Sequence, residues 1–553
     1  MREYDVNNLN EQEFDSMLQS SMAELPPDDI AYEVTPWRKA INRILTGFAL
    51  GAITLNFLGL NYLLPAIGMI LTILGFRTLR KENKWFNACW IITVVRSAYY
   101  FPTLILNTTI HQSTFYASSI ASVLNVLNMA IIFLLYICFW KALRSVQEKA
   151  GIEPHAGGVA ALIVWSAFIC ALAILQVPGG LLLGIVFLIF YICIIRSLVK
   201  LSKELDEAGY CISTAPVRFT DKTISIILVI AILIGCGCGY LFFHQHPMDW
   251  QAASQTENAE IQQVKDHLQS LGFPKHILDD LTEEDLLSCK DAVRVVVEVN
   301  DHPVNNGRRV QELQEDGVIH IYTAYDQEEL RITGIGVELA GEHEQWKIFH
   351  HFQWVIDPGF YGTDAIQLWP AYRNNKGWVS CSDISGQVLY NEGNKVYTAP
   401  FYSLGNETYT TTSIFWGEQT TTDVFAEFSM PRDGENHRGY VSYIIEEVQE
   451  GWLIDAWINY THQVSWLQYP AITAKEKYMT TGAGDTNAFN TIQDALQFSP
   501  IYNSSEVSVK STGGEVGCSP PLQTLTAPAP RLFSGSVLLG SFCFALRRCV
   551  PGQ

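Results

Sequence analysis

The chain has 553 residues, 48% of them hydrophobic, and its 36 Lys and Arg against 56 Asp and Glu give a net charge of −20. That length admits more than one domain, and that acidic balance disfavours nucleic acid or anionic polymers, which bind through clustered Lys and Arg. The charge is unevenly spread: residues 1–244 hold 17 Lys and Arg against 16 Asp and Glu, and the remainder holds 19 against 40.

Residues 1–40 read as an acidic cytoplasmic tail, because the polar stretch before Val34 lacks the apolar core of a secretory signal. Residues 41–244 read as a transmembrane bundle. A helix crossing the hydrocarbon core needs about 20 mostly apolar residues, and the tracts 85–106, 117–140, 159–177, 181–198 and 224–243 meet that length. The tract 44–76 is too long for one span, and its halves around Asn61, Tyr62 and Pro65 are short, which predicts a tight helical hairpin.

Charge placement favours seven spans over six. Lys and Arg near span ends stay on the cytoplasmic side, and Arg38, Lys39 and Arg43 precede the hairpin while Arg77, Arg80, Lys81 and Lys84 follow it. Lys141, Arg144 and Lys149 follow the fourth span, and Arg196, Lys200, Lys203, Arg218 and Lys222 fill the connection before the last. The alternate connections, 101–116 and 178–180, contain no Lys or Arg. A cytoplasmic N-terminus with seven spans satisfies every connection and makes the region after Phe243 extracytoplasmic, whereas six spans leave one basic cluster on the wrong side.

No Asp or Glu lies between Glu33 and Glu82, Glu82 and Glu148, Glu153 and Glu204, or Asp221 and Asp249, so the predicted spans lack carboxylates. Ion-coupled carriers commonly use buried acids, and the pattern weakens that reading. Arg96 is the one cation deep in a tract, beside Ser97, Tyr99 and Tyr100. Its expected partners are carbonyls, Asn125, Asn128 or lipid phosphate; the plainer alternative is an arginine that snorkels outward.

The segment Leu63, Leu64, Pro65, Ala66, Ile67, Gly68, Met69, Ile70, Leu71, continued by Leu74 to Leu79, resembles a Pro-x-x-Gly hairpin of polytopic membrane proteins from low-GC Gram-positive bacteria. Ala66 stands where an acidic residue often follows that proline. The resemblance implies a bacterial plasma membrane and carries no established activity with it.

Residues 245–292 read as a helical stalk that positions the following domain or makes a contact between copies. Ile261, Val264, Leu268 and Leu271 recur at helical spacing, Gly272-Phe273-Pro274 interrupts them, and Thr282 with Asp285 forms a capping pair. Residues 293–498 alternate in short β-branched and aromatic runs: 294–299, 318–324, 330–339, 346–356, 366–369, 387–390, 410–415, 422–428, 440–448 and 452–460. Ten strands without long intervening helices predict a mainly antiparallel β-sandwich or jelly roll. Residues 499–553, rich in Ser, Thr, Gly and Pro, read as a low-complexity tail.

Candidate sites in this second part are few. Trp369, Trp378, Tyr402 and Trp416 fall near expected loops, where aromatic faces can stack on sugar rings; large aromatics also fill β cores. His244, His246 and Asp249 cluster just outside the last span, a pattern compatible with a metal or a pH sensor and also with a plain interfacial segment. His343-Glu344 begins like a zinc-protease helix, but Lys347 stands at the second histidine position. His350 and His351, adjacent on a strand, point to opposite faces. Cys289 and Cys381 allow at most one disulfide in the main body of this region. No catalytic or cofactor motif stands out.

The sequence therefore predicts a non-enzymatic multi-pass protein of the cell membrane, embedded in the lipid bilayer, with no cofactor. Its acidic β-rich domain is expected to bind or sense an envelope glycan, cation or protein, with self-association through the stalk. The alternatives are a transporter or permease-like component using the bundle around Arg96, and an envelope enzyme.

Overall fold

In the computed structural model the described residues are 36–52, 59–175, 181–208, 218–253, 258–305, 308–313, 319–324, 327–341, 343–369, 377–380, 384–413, 417–449 and 452–500. The N-terminal tail before residue 36, the tail beyond residue 500, the connection 178–180, Cys381 and Trp416 lie outside them. The described residues fall into two compact units, a helical one (36–106 and 113–236) and a β-rich one (107–112 and 237–500).

The helical unit contains α1 (Pro36–Ala52), α2 (Leu60–Leu79), α3 (Lys84–Leu106), α4 (Gln112–Ala117), α5 (Ser119–Lys149), α6 (Gly157–Ile174), α7 (Leu181–Glu207) and most of α8 (Asp221–Phe242). Five of them, α2, α3, α5, α7 and α8, are long and apolar enough to cross a membrane. Helix α6 is apolar but shorter, and α1 has 17 residues. Ile226, Ile230, Leu233 and Ile234 of α8 are each about half or more exposed, a continuous apolar face that lipid accommodates and water does not.

The hairpin forms from α1 and α2, with its break one turn earlier than expected. Gly59 adopts φ 70° before α2, so Asn61, Tyr62 and Pro65 already lie inside the helix. A left-handed glycine ends the connection, and Pro65, the sixth residue of α2, removes one backbone bond, that to Asn61 O. The two helices touch through glycine: a Cβ at Gly47 would meet Gly68 O at 2.6 Å, and one at Gly68 would meet Gly47 O at 2.6 Å. Small residues that let backbones approach are what membrane helices use to pack.

Charged groups gather at helix ends. Arg43 and Arg77 both reach Asp221 at the start of α8, at 2.5 and 3.0 Å, where an acidic side chain also favours the helix dipole. Lys149 bonds Glu82 at 3.0 Å, and His155 contacts Glu204 at 2.9 Å.

The β-rich unit is mainly antiparallel. Its strands are β1 (Gln251–Ala252), β2 (Ala292–His302), β3 (Arg308–Leu313), β4 (Ile319–Ala324), β5 (Leu330–Leu339), β6 (Gln345–Trp354), β7 (Asp364–Trp369), β8 (Trp378–Ser380), β9 (Ser385–Glu392), β10 (Lys395–Pro400), β11 (Ser403–Ser413), β12 (Gly417–Phe428), β13 (Glu435–Glu447), β14 (Ile454–Gln463) and β15 (Phe489–Phe498). An eight-stranded sheet runs β1-β10-β9-β13-β6-β5-β2 with β8 beside β13, a five-stranded sheet runs β11-β12-β7-β14-β15, and β3 pairs with β4. Both larger sheets contribute to one apolar core. Trp346, Ile348, Phe352 and Trp354 of β6 meet Ile366 of β7, Phe428 of β12 and Tyr460 of β14, and each such buried aliphatic or Phe side chain contributes roughly 1.5–3 kcal/mol.

The helices expected as a stalk are α9 (Ala259–Ser270), α10 (Lys275–Leu278) and α11 (Glu283–Leu287). They lie against the eight-stranded sheet: Ile261, Val264, Leu268, Phe273 and Ile277 share a core with Ile335, Val337, Phe349 and Tyr440. Their apolar stripe is thus satisfied within the chain. Thr282 caps α11 by accepting from Asp285 N at 3.2 Å, as the Thr-x-x-Asp spacing predicts. A further helix, α12 (Ala474–Thr481), carries a full capping box of Thr473 and Glu476 and packs Tyr478 on Phe425, 5.8 Å between ring centres.

Candidate functional site

Arg96 sits about 18 Å along α3 from Lys84, twelve residues at the helical rise. At that depth in a span its charge needs a partner or a polar cavity, and the spans supply no carboxylate. The helical unit does hold a cavity of about 100 Å³ with Arg96 in its wall, well above the roughly 10–15 Å³ that one water needs.

The cavity borders the hairpin. Gly47 and Gly51 of α1 and Pro65, Gly68 and Thr72 of α2 form one side; the Cβ position is open at Gly51, whereas at Gly47 and Gly68 the facing helix fills it. Tyr99 and Tyr100 join Arg96 from α3, Asn128 and Tyr136 come from α5, Trp165 from α6 and Tyr191 from α7. Several of these polar groups are already engaged: Thr72 donates to Gly68 O at 2.7 Å, Tyr191 to Phe48 O at 2.8 Å, Tyr100 to Tyr62 O at 3.1 Å and Tyr99 to Asn125 Oδ1 at 2.9 Å. Arg96 Nε and Trp165 Nε1 are buried without a hydrogen-bond partner. Both are donors only, so two buried N–H groups beside the cavity have no acceptor, and the spans offer Arg96 no carboxylate.

Of the two asparagines expected beside Arg96, Asn128 lines the cavity and Asn125 is held by Tyr99. Sequence reading singled out Arg96 from its isolation among apolar residues. It missed Trp165, which nothing local distinguishes from a lipid-facing tryptophan.

The candidates in the β-rich unit do not converge. Trp378 is 1% exposed and belongs to the apolar core, its Nε1 donating to Trp452 O at 3.3 Å, so it is a packing residue rather than a loop platform. Trp369 pairs with Trp457 at 6.1 Å, and Tyr402 stacks on His246 at 4.3 Å. His244 lies 6.1 Å from Phe360, and Asp249 accepts from Gln251 Nε2 at 3.2 Å. His246 turns instead toward Glu427, 3.6 Å away. Burial lowers its pKa, against the opposing pull of Glu427. Among the described residues no group of three His, Cys, Asp or Glu is arranged to hold a metal ion.

Buried polar pairs elsewhere in this unit were not foreseen. His462 Nδ1 lies 2.6 Å from Asp364 Oδ1 with both side chains sealed from water. Asp280 accepts from His351 Nε2 at 3.0 Å and from Arg438 Nε at 2.8 Å. His350 faces the opposite side of β6 from His351 and is fully buried, with neither ring nitrogen bonded. Burial lowers its pKa to about 4.

No family model and no curated protein matches the chain. Among solved structures, one described as "AvmM Catalyzes Macrocyclization in Alchivemycin A Biosynthesis" is similar to 30% of this chain over 85% of its own, at 13% identity and TM-score 0.15. Another, described as "Pore forming protein", is similar to 35% of this chain over 94% of its own, at 8% identity and TM-score 0.15. Likeness at that TM-score carries no argument about fold or function.

Proposed function

We propose that this is a seven-span membrane protein whose helical bundle binds a small anion in the cavity around Arg96, as a permease-like component. The observation that carries this reading is Arg96 in the wall of a cavity within the helical unit, with its Nε buried without a hydrogen-bond partner and no carboxylate in the spans to pair it. A guanidinium in low dielectric is costly unless paired, and a carboxylate, phosphate or halide supplies what the spans lack. Helices α1 and α6 complete the seven, at about 26 and 27 Å long by helical rise. The alternation of basic and Lys/Arg-free connections supports the count.

On the same charge pattern the β-rich unit, read as a sandwich with its two larger sheets sharing one core, faces the envelope. Its acidic surface suits cations or cationic partners better than anions. No catalysis belongs to this reading.

Binding is tested on the full chain in detergent by thermal unfolding with and without chloride, acetate and phosphate, at constant ionic strength. A ligand that binds only the folded state raises the midpoint. At least one anion is expected to do so in the wild type and to lose the effect in Arg96→Ala. Equal midpoints in both proteins for all three anions contradict the proposal.

A further inference from the structure

The segment following β14 is tied to the ends of two membrane helices. Tyr240, in the last turn of α8, donates its hydroxyl to Gln468 O and places its ring 5.5 Å from that of Trp466. Asn107, the residue after α3, accepts from Ala471 N at 2.7 Å. A helix end fixes depth, because the apolar residues before it belong in hydrocarbon and the polar chain after it does not. Residues bonded to two such ends therefore lie at the same level.

The composition of this segment suits that level. Between Asp455 and Lys475 the chain contains no Asp, Glu, Lys or Arg, although it lies in the strongly acidic half of the protein. Trp466 is 55% exposed and Leu467 67% exposed, and Phe242 and Phe243, which follow Tyr240 in the chain, are 73% and 50% exposed. The backbone meanwhile is partly satisfied from within: Ser465 Oγ accepts from Leu467 N at 3.1 Å, Gln468 Oε1 accepts from Ile472 N at 3.2 Å, and Gln468 Nε2 donates to Ile472 O at 3.1 Å. A loop that folds its polar atoms inward and turns a Trp and a Leu outward is poorly suited to water and well suited to the boundary between headgroups and acyl chains.

We propose that residues 464–472 form a membrane-seated loop, with Trp466 and Leu467 inserted into the phospholipid interface of the leaflet at which α3 and α8 end. The occupant is the bilayer itself, and the argument is continuity with the helix ends that Tyr240 and Asn107 mark. This proposal is independent of the anion reading.

The test is tryptophan fluorescence of the full chain in phosphatidylcholine vesicles, with and without lipids brominated near the headgroup, for wild type, Trp466→Phe and Trp452→Phe. Trp452 precedes β14 and Trp466 follows it, which separates them by roughly 30 Å at the strand rise. The difference between wild type and Trp466→Phe isolates the emission of Trp466. That difference is expected to lose most of its intensity in brominated vesicles, while the corresponding Trp452 difference keeps its own. A Trp466 component untouched by brominated lipid overturns the proposal: quenching by aqueous iodide then places the loop in water, and resistance to both quenchers places it against protein.

Discussion

Lys347 Nζ donates to Asp285 Oδ1 at 2.5 Å in the layer between α11 and the eight-stranded sheet, with side-chain exposures of only 6% and 2%. Asp285 also accepts from Ser385 Oγ and Tyr440 OH, each at 2.6 Å. This cluster joins the helical layer to β6, β9 and β13. Removing one partner of a buried pair leaves an uncompensated charge, at a cost of about 3–5 kcal/mol. Lys347→Met should therefore lower the unfolding midpoint of the β-rich unit sharply, read by its β-sheet circular dichroism in the full chain. Lys265→Met, which breaks the exposed pair with Asp279, should cost no more than about 1 kcal/mol.

The same pair sets an acid limit. Burial alone pushes the Asp285 carboxyl up, but Lys347, Ser385 and Tyr440 outweigh it and hold the carboxyl below its usual value. A depressed folded pKa contributes stability that is present above the unfolded value of about 3.9 and lost as pH falls through the folded one. The deficit of Lys347→Met should accordingly be full at neutral pH and shrink below about pH 4. A deficit that stays undiminished well below about pH 4 contradicts the assignment.

His350 predicts a second, separate pH dependence. Its folded pKa of about 4 lies below the ordinary histidine value because burial disfavours the charged ring. The neutral form is stable above about pH 6.5, and protonation of the unfolded chain withdraws about 3 kcal/mol as pH falls from there toward 4. His350→Phe keeps an aromatic ring beside Tyr443 and should flatten midpoint against pH across that interval. An unchanged slope removes His350 as its source.

The glycine contact predicts unequal effects within one hairpin. Gly68→Val forces a side chain against the backbone of α1, whereas a Cβ at Gly51 meets nothing within 4 Å. Thermal unfolding in detergent should show a loss of about 1–3 kcal/mol for the first. The second should show no loss, and a gain of about 0.5–1 kcal/mol if helix propensity dominates.

Orientation is checked by reporters. On the proposed seven-span reading the start of the chain and the β-rich unit face opposite sides, so a reporter fused after Pro500 should be cut by external protease and inactive in the cytosol. A protected, cytosolically active reporter contradicts seven spans.

Much of the architecture is legible because periodicity and hydropathy are local. Helices occur at all seven expected places, and 330–339 coincides with β5. What sequence hides is distance. Strand β15 was not foreseen, since Asn490, Gln493 and Asp494 dilute its apolar alternation, and it is fixed by pairing with β14. The α9 stripe reads equally well as a stalk or a packed layer until Ile335 and Phe349 are known to face it. Asp364 and His462 are 98 residues apart in sequence and meet only because β7 pairs with β14. The cavity was half legible: Arg96 stood out by its charge, while Gly47, Gly68 and Trp165 acquire meaning only when α1, α2 and α6 surround it.

The most direct measurement is anion uptake by proteoliposomes containing the full chain, using labelled chloride, acetate and phosphate, for wild type, Arg96→Ala and Arg96→Lys. Uptake of at least one anion in the wild type, abolished by Arg96→Ala and weakened by Arg96→Lys, which keeps the charge but loses the planar fork of donors, is the predicted result. Uptake that is the same in wild type and Arg96→Ala, or no uptake of any of the three by the wild type, contradicts a permease-like role for the Arg96 cavity.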